Sequence, residues 1–210
     1  MDANEALTRD GPIRSVITLN QPEFEAACAS LMRMVMADYE PTLLVGIRTG
    51  GLVVAEAMAR SLSRPMVVLP LTCRRPGTAT KSRLPFLHEV LGTLPRGVVD
   101  AMRIVEHRLL TSRRKRSSKA PSVDHDEAAA IAALLAERTD QHRLLVVDDA
   151  VDSGATLAAV IELLRSSCPS RTEICTAVIT VTLDSPRIMP DFVLHHRVLC
   201  RFPWSFDAAR

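Results

Sequence analysis

An α/β domain built on an open, mostly parallel sheet with flanking helices is the fold class this sequence predicts, and three observations predict it. Two apolar runs, Thr42-Leu43-Leu44-Val45-Gly46-Ile47 and Leu144-Leu145-Val146-Val147, each break into a small-residue turn and then continue with helical spacing. A third run, Ile174 to Leu183, is hydrophobic enough to be a strand buried on both faces. The 210 residues suit one domain spanning 1–210 with an elaboration, and a 47% hydrophobic content can fill a sizeable core.

The elements follow in order. Ser15 to Leu19 forms a short strand, and Asn20 with Pro22 starts a helix whose buried stripe is Phe24, Ala27, Cys28, Leu31 and Val35. Met32, Met34 and Met36 read as packing. After the strand at 42–47 and the turn Arg48-Thr49-Gly50-Gly51, a helix runs from about Leu52 to Leu62, and Pro65 to Leu71 resumes a strand. Residues 73–124 lose regular patterning and form an insertion. Within it, 76–81 and 117–122 are loop-like, while Val98, Met102, Val105 and Leu109 predict an amphipathic helix over about residues 96–112. Asp124 or Asp126 caps a helix from about Glu127 to Arg138. The strand 144–147 and a helix marked by Leu157, Val160, Ile161 and Leu164 come next, and Asp184-Ser185-Pro186 ends the strand that follows.

Composition excludes several functions. A formal charge of +2 does not describe a general nucleic-acid binder. The one dense basic run, Arg113-Arg114-Lys115-Arg116, is a solvated helix end, a contributor to an anion site, or a contact for RNA. Five cysteines, 28, 73, 168, 175 and 200, make no CxxC pair and read as reduced core thiols rather than a metal site. His195 and His196 adjoin in a strand, so they face opposite ways and cannot share an ion without a bend. The acidic start lacks a signal-type apolar region, and no run approaches the roughly 18 apolar residues of a membrane span, so the expected location is the cytoplasm, away from membranes.

The chemistry lies at the end of the 144–147 strand. Burial is expected to stop at Asp148, because two adjacent carboxylates, Asp148 and Asp149, are costly in a core. Both then stand at the strand's carboxyl end, where open α/β sheets bind ligands. Asp152-Ser153-Gly154-Ala155-Thr156 follows as a turn whose amides and hydroxyls face an anion at a helix N-terminus. A plainer alternative makes Asp152 or Ser153 an N-cap and nothing more. The turn is not a Walker A loop, since the Gly-Lys-Ser/Thr ending is missing. The turn Arg48-Thr49-Gly50-Gly51 is a second candidate anion loop, unless its glycines serve only tight helix–strand packing.

The stretch from Leu144 to Thr156 resembles the motif with which type I phosphoribosyltransferases bind 5-phosphoribosyl 1-pyrophosphate (PRPP). Gly46-Ile47-Arg48-Thr49-Gly50-Gly51-Leu52 resembles their pyrophosphate loop, in the form of the bacterial xanthine-guanine enzymes. The tail from Pro190 to Trp204 is similar to the hood of purine-salvage members, so 184–210 is expected to form a hood together with the helical insertion. The resemblance implies a Rossmann-like sheet, transfer of phosphoribosyl from PRPP to a ring nitrogen of a purine-like base, and Mg²⁺ held mostly through water by Asp148 and Asp149. It implies a homo-oligomer, dimer or tetramer, whose ligands are PRPP and a nucleobase-like molecule. Asp152 would take the proton of the base, with Asp148 and Asp149 orienting ribose or metal-bound water. Residues 152–156 would hold the 5′-phosphate, and Arg48, Thr49, Gly50 and Gly51 the pyrophosphate.

Two departures concern the acceptor. The family's base-reading lysine, expected near Thr182 to Asp184, is absent, and an aliphatic residue near Leu199 replaces the stacking aromatic. Phe202 or Trp204 would stack instead, or else pack in the core. A specialised acceptor is compatible with these changes, as is a PRPP- or nucleotide-sensing regulator that contacts RNA through the basic run.

Overall fold

The computed structural model describes residues 13, 15–74, 104, 120–137 and 141–205. The elements are β1 (Ser15–Thr18), α1 (Gln21–Asp38), β2 (Leu43–Arg48), α2 (Gly50–Arg60), β3 (Val68–Arg74), β4 (Ser122–Val123), α3 (His125–Ala136), β5 (His142–Val151), α4 (Ala155–Ser167), β6 (Thr172–Val181), β7 (Phe192–His196) and β8 (Val198–Arg201). The expected helix at 96–112, Ile104 aside, and the basic run at 113–116 lie outside the described residues.

Six strands form one sheet in the order β4-β3-β2-β5-β6-β7, parallel throughout except for the β3–β4 pair. β5 is central, and its alternation explains its unbroken hydrophobicity. Leu145 and Val147 join the core beneath α1 and α2, while Leu144 and Val146 join the core beneath α3 and α4. β3 continues to Arg74 and pairs at Cys73 with Val123, so both ends of the 73–124 segment belong to the sheet. Pro70 is accommodated because β4 pairs only with Cys73 and Arg74, which leaves that stretch of β3 an edge.

The helix starts match local chemistry. Asn20 and Glu23 form a capping box: Asn20 Oδ1 accepts from the Glu23 N–H and Glu23 Oε2 from the Asn20 N–H, both at 2.9 Å. Asp124 caps α3, accepting from Asp126 and Glu127 N–H at 3.1 Å each. In α1 the buried stripe gains Met32, whereas Met34 is exposed.

β1 does not join the main sheet. It pairs in parallel with β8, matching Ser15 with Val198 and Thr18 with Arg201. Ile17, Phe192, Leu194 and Cys200 pack this hood onto the α1/α2 side of the core. The N-terminal strand is therefore part of a hood that the sequence assigns only to the tail and the insertion.

None of the five cysteines forms a disulfide among the described residues. Burial pushes the Cys28 thiol up to about 12, with the Arg60 charge lowering it and Glu25 raising it. Burial likewise raises the Tyr39 hydroxyl, which donates to Leu144 O at 3.2 Å and Glu173 O at 3.1 Å. In the unfolded chain the thiol ionises from about pH 9.0, so above that pH the unfolded state binds fewer protons than the folded one. Stability is thus expected to fall as pH rises from about 9 toward 12. The midpoint of urea unfolding should decline across that window, and Cys28→Ala should remove part of the decline.

Candidate active site

The strand delivering the acids runs further than the sequence indicates. β5 continues through Asp148 and Asp149 to Val151, and Asp148 is only 4% exposed. The carboxylates enter because each finds a local donor. Asp148 Oδ1 accepts the Asp149 N–H, and Asp149 Oδ1 accepts the Ala150 N–H, both at 2.9 Å.

The turn after β5 is built around Gly154, which has φ 73° and occupies the N-cap of α4 without a side-chain cap bond. The N-cap position falls to Gly154, so Asp152 and Ser153 both lie in the turn ahead of the helix. A Cβ on Gly154 would lie 2.9 Å from Ile188 N and 3.0 Å from Ile188 O, so only glycine lets the 187–188 segment settle on the turn. That segment is fastened by Arg187 N–H, which donates to Ser153 O at 2.7 Å. Thr182 Oγ1 donates to Asp152 Oδ1 at 2.8 Å, and the Thr182 N–H donates to Val151 O at 3.0 Å. Ala155 opens α4 and Thr156 is 7% exposed in its first turn. The 13-residue helix thus directs its positive end at a turn held in one shape.

The second loop lies one strand away. Its Arg48–Thr49 peptide is cis, and α2 begins at Gly50 rather than near Leu52, so both glycines are in the helix's first turn. A Cβ on Gly51 would stand 2.5 Å from Val147 O and 2.8 Å from Asp148 Cα, and one on Gly50 would collide with the Asp149 carboxylate. The glycines therefore serve close packing, and what they pack against is the acid pair itself. Arg48 Nη2 lies 3.6 Å from Glu127 Oε1. Glu127 is in turn anchored by the Thr72 N–H at 2.6 Å and the Thr72 hydroxyl at 3.3 Å.

Glu127, Thr182 and Arg187 are not evident from the sequence. Glu127 shows there only as an acid in the first turn of a helix, which suits the dipole and signals no partner.

On the hood side, Phe202 is 5% exposed, edge-on to Phe24 at 6.4 Å and stacked on Trp204 at 4.9 Å with 4° between planes. Its ring thus packs in the core. Trp204 also meets Phe24 edge-on at 5.1 Å and is 42% exposed. Leu199 is half-buried and paired with Val16, which alternation places away from the core-facing Ile17 and Cys200. Burial holds the Cys200 thiol at about 11, with a hydrogen bond to Thr180 lowering it and the nearby Asp149 charge raising it. His195 and His196 fall on adjacent positions of β7, the first half-buried and the second exposed. Among the described residues, no three His, Cys, Asp or Glu side chains are grouped to hold a metal ion. Among the described residues, no helix is long and apolar enough to cross a membrane.

Two turns at neighbouring strand ends each open into a helix N-terminus, and the two carboxylates lie between them. The phosphoribosyl transferase domain matches residues 17–195. This chain belongs to the phosphoribosyl transferase domain family. Its enzyme class is accordingly that of a phosphoribosyltransferase. Among solved structures, the fold is similar to that of a purine phosphoribosyltransferase from Pyrococcus horikoshii OT3, with 18% identity, a TM-score of 0.56, and coverage of 91% of this chain and 94% of that one. The Helicobacter pylori xanthine-guanine-hypoxanthine phosphoribosyltransferase is similar at 14% identity and a TM-score of 0.54, over 92% and 95% of the two chains. A hypothetical protein from Neisseria gonorrhoeae with bound ppGpp matches at 12% identity and a TM-score of 0.56, over 92% and 90%. No curated protein matches in sequence.

Proposed function

We propose that this phosphoribosyltransferase moves the 5-phosphoribosyl group of PRPP to a ring nitrogen of a purine-like base and releases pyrophosphate. The observation that carries the reading is the contact between loops. The first turn of α2 packs on Asp148 and Asp149, and the phosphate turn at α4 follows three residues beyond them on the same strand. One ligand with a phosphate at one end, a sugar in the middle and a pyrophosphate at the other matches that spacing.

Residues 152–156 would hold the 5′-phosphate through the amides at the start of α4. Asp148 and Asp149 would orient the ribose hydroxyls. As the bond at C1 of the ribose breaks, negative charge grows on the pyrophosphate, and Arg48 with the amides of Thr49, Gly50 and Gly51 would stabilise it. Asp152 would accept the proton from the ring nitrogen, its carboxylate oriented by Thr182. Mg²⁺ fits the donor set, since two carboxylates offer hard oxygen ligands without a protein cage, as suits an ion that keeps its waters. When bound it would neutralise charge on the leaving pyrophosphate. A homo-oligomer, dimer or tetramer, in the cytoplasm belongs to the same proposal, and light scattering tests the assembly.

The deciding experiment supplies purified protein with Mg²⁺, PRPP and a panel of purines, pyrimidines and related heterocycles. Pyrophosphate release with at least one acceptor supports the reading; none across the panel overturns it. A second reading, a regulator that senses PRPP or nucleotide, draws on the ppGpp-bound protein of the same fold. It predicts binding without turnover, with salt-sensitive RNA binding lost when Arg113 to Arg116 are neutralised.

Glu127 gives the reading a quantitative handle. A half-exposed ion pair contributes only about 0–1 kcal/mol to stability, so Glu127→Gln should scarcely move the melting temperature. It should nonetheless raise the KM for PRPP about threefold to tenfold, because Arg48 loses the anchored carboxylate that fixes it. An unchanged KM would remove Glu127 from that role.

A further inference from the structure

β6 and β7 are parallel neighbours, and the chain joins them through residues 182–191 without a helix. Parallel strands are ordinarily joined by a helix packed on one face of the sheet. Here the connection runs over the N-terminus of α4 instead. The Ile188 backbone lies against Gly154, and the Ile188 side chain packs on the α3/α4 side of the core. The connection is pinned at both ends. Thr182 binds Val151 O and Asp152 Oδ1 near its start, and the Arg187 N–H reaches Ser153 O further on. At its close, Asp191 Oδ2 accepts from the Thr176 N–H at 2.8 Å and the Thr176 hydroxyl at 2.7 Å. Asp152, Ser153 and Gly154 are therefore each held by one strap.

Between those pins stands Asp184, whose Oδ1 lies 3.4 Å from Arg197 Nε. Arg197 is the single residue between β7 and β8, and its N–H donates to Val181 O at 2.6 Å. The guanidinium thus starts from a point fixed to the last residue of β6. Its φ of 61° is a conformation that glycine adopts freely and that strains a residue with a side chain. The side chain that accepts this strain is the one that reaches the strap. Arg197 is 20% exposed and Asp184 41%, so the pair is partly sheltered.

We propose that Arg197 and Asp184 are positioning residues for the turn at 152–156. Their ion pair holds the strap down on Ser153 and Gly154, and so fixes the amides at the start of α4. This rests on the reading of that turn as the 5′-phosphate site. The pair acts through the strap and not on the ligand. A cradle of backbone amides binds an anion well when the amides already converge, since ordering them at the moment of binding costs affinity.

Calorimetric titration of the full chain with ribose 5-phosphate, beside thermal melting, tests this without requiring turnover. Asp184→Asn should bind the sugar phosphate about threefold to fivefold more weakly, the scale of one partly exposed ion pair. Deleting a negative charge would by its field alone tighten an anion's binding, so weaker binding separates positioning from simple electrostatics. Arg197→Gly should weaken binding equally and leave the melting temperature close to that of the wild type, because glycine takes the left-handed turn without strain. The two substitutions together should weaken it no further than either alone, since both remove one interaction. Exchanging the charges, with Asp184→Arg and Arg197→Asp, should restore part of the affinity, aspartate being tolerated at positive φ. Amide exchange at Arg187 without ligand should quicken about threefold or more in Asp184→Asn. Unchanged or tighter binding in Asp184→Asn, additive losses, an unchanged exchange rate at Arg187, or weakening matched by a lower melting temperature in both single variants overturns the inference alone. A wild type that fails to bind ribose 5-phosphate overturns the phosphate-turn reading, and the inference falls with it.

Discussion

Asp152→Asn is expected to lower kcat by about 10²- to 10⁴-fold, the range for loss of a positioned general base. The amide is nearly the size of the carboxylate, and its oxygen can still accept from Thr182 Oγ1, which holds the wild-type side chain at 2.8 Å. The turn should therefore keep its shape, and the KM for PRPP should change by less than about threefold, since only an interaction used in the transition state is removed. Raising the pH does not restore the variant, because an amide gains no proton-accepting power there. Steady-state kinetics with PRPP and the best acceptor, checked by thermal melting of the variant, measures the split. Full turnover would take Asp152 out of the base's role, and a melting temperature lowered along with kcat would point to the turn instead.

A methyl group at position 51 should be almost as damaging by a different route. In Gly51→Ala the new Cβ meets Val147 O at 2.5 Å and Asp148 Cα at 2.8 Å, both belonging to backbone that cannot rotate away. The first turn of α2 must lift off β5, and overpacking of this kind costs about 1–3 kcal/mol. It also moves Arg48 and the acid pair apart, so turnover is expected to fall at least about 100-fold, the scale on which misplacement of about an ångström acts. Gly50→Ala provides the contrast. Its Cβ strikes the Asp149 carboxylate, the end of a side chain that can swing aside. Stability should suffer less there than activity. Urea unfolding beside kcat for both variants tests the distinction, and Gly51→Ala with wild-type stability would contradict the close packing.

Those contrasts show which features are legible in the sequence. The strand-turn-helix units around Arg48 and Asp152 are visible because strand, turn and helix are local patterns, each carried by a dozen residues. A cap for α3 at Asp124 or Asp126 is legible for the same reason, and the structure places it at Asp124. The burial of Asp148 is not, since hydrophobicity predicts that an acid ends a strand, whereas bonds to the next amide let it remain inside. Glu127 meets Thr72 across 55 positions, and Thr182 meets Asp152 across 30. Such partners are chosen by strand register, which no single stretch encodes. The glycines at 50 and 51 announce a close approach without naming what approaches. For the same reason the aromatic residues of the tail leave packing and stacking open until Phe24 is seen edge-on to both Phe202 and Trp204.

The pairing of Ser15–Thr18 with Val198–Arg201 makes a clasp from segments 183 residues apart, reinforced where Arg201 Nη1 donates to Thr18 Oγ1 at 3.3 Å. No turn joins its strands, so almost the whole chain must be in place before it can close. In folding it is a contact of very long range, and the loop entropy it must overcome delays it until the sheet has formed. In the finished protein, the clasp can open while the two turns around Arg48 and Asp152, held by β2, β5 and β6, stay assembled. The two turns and the clasp are thus coupled unequally to global stability, the turns sharing the fate of the central strands and the clasp opening on its own.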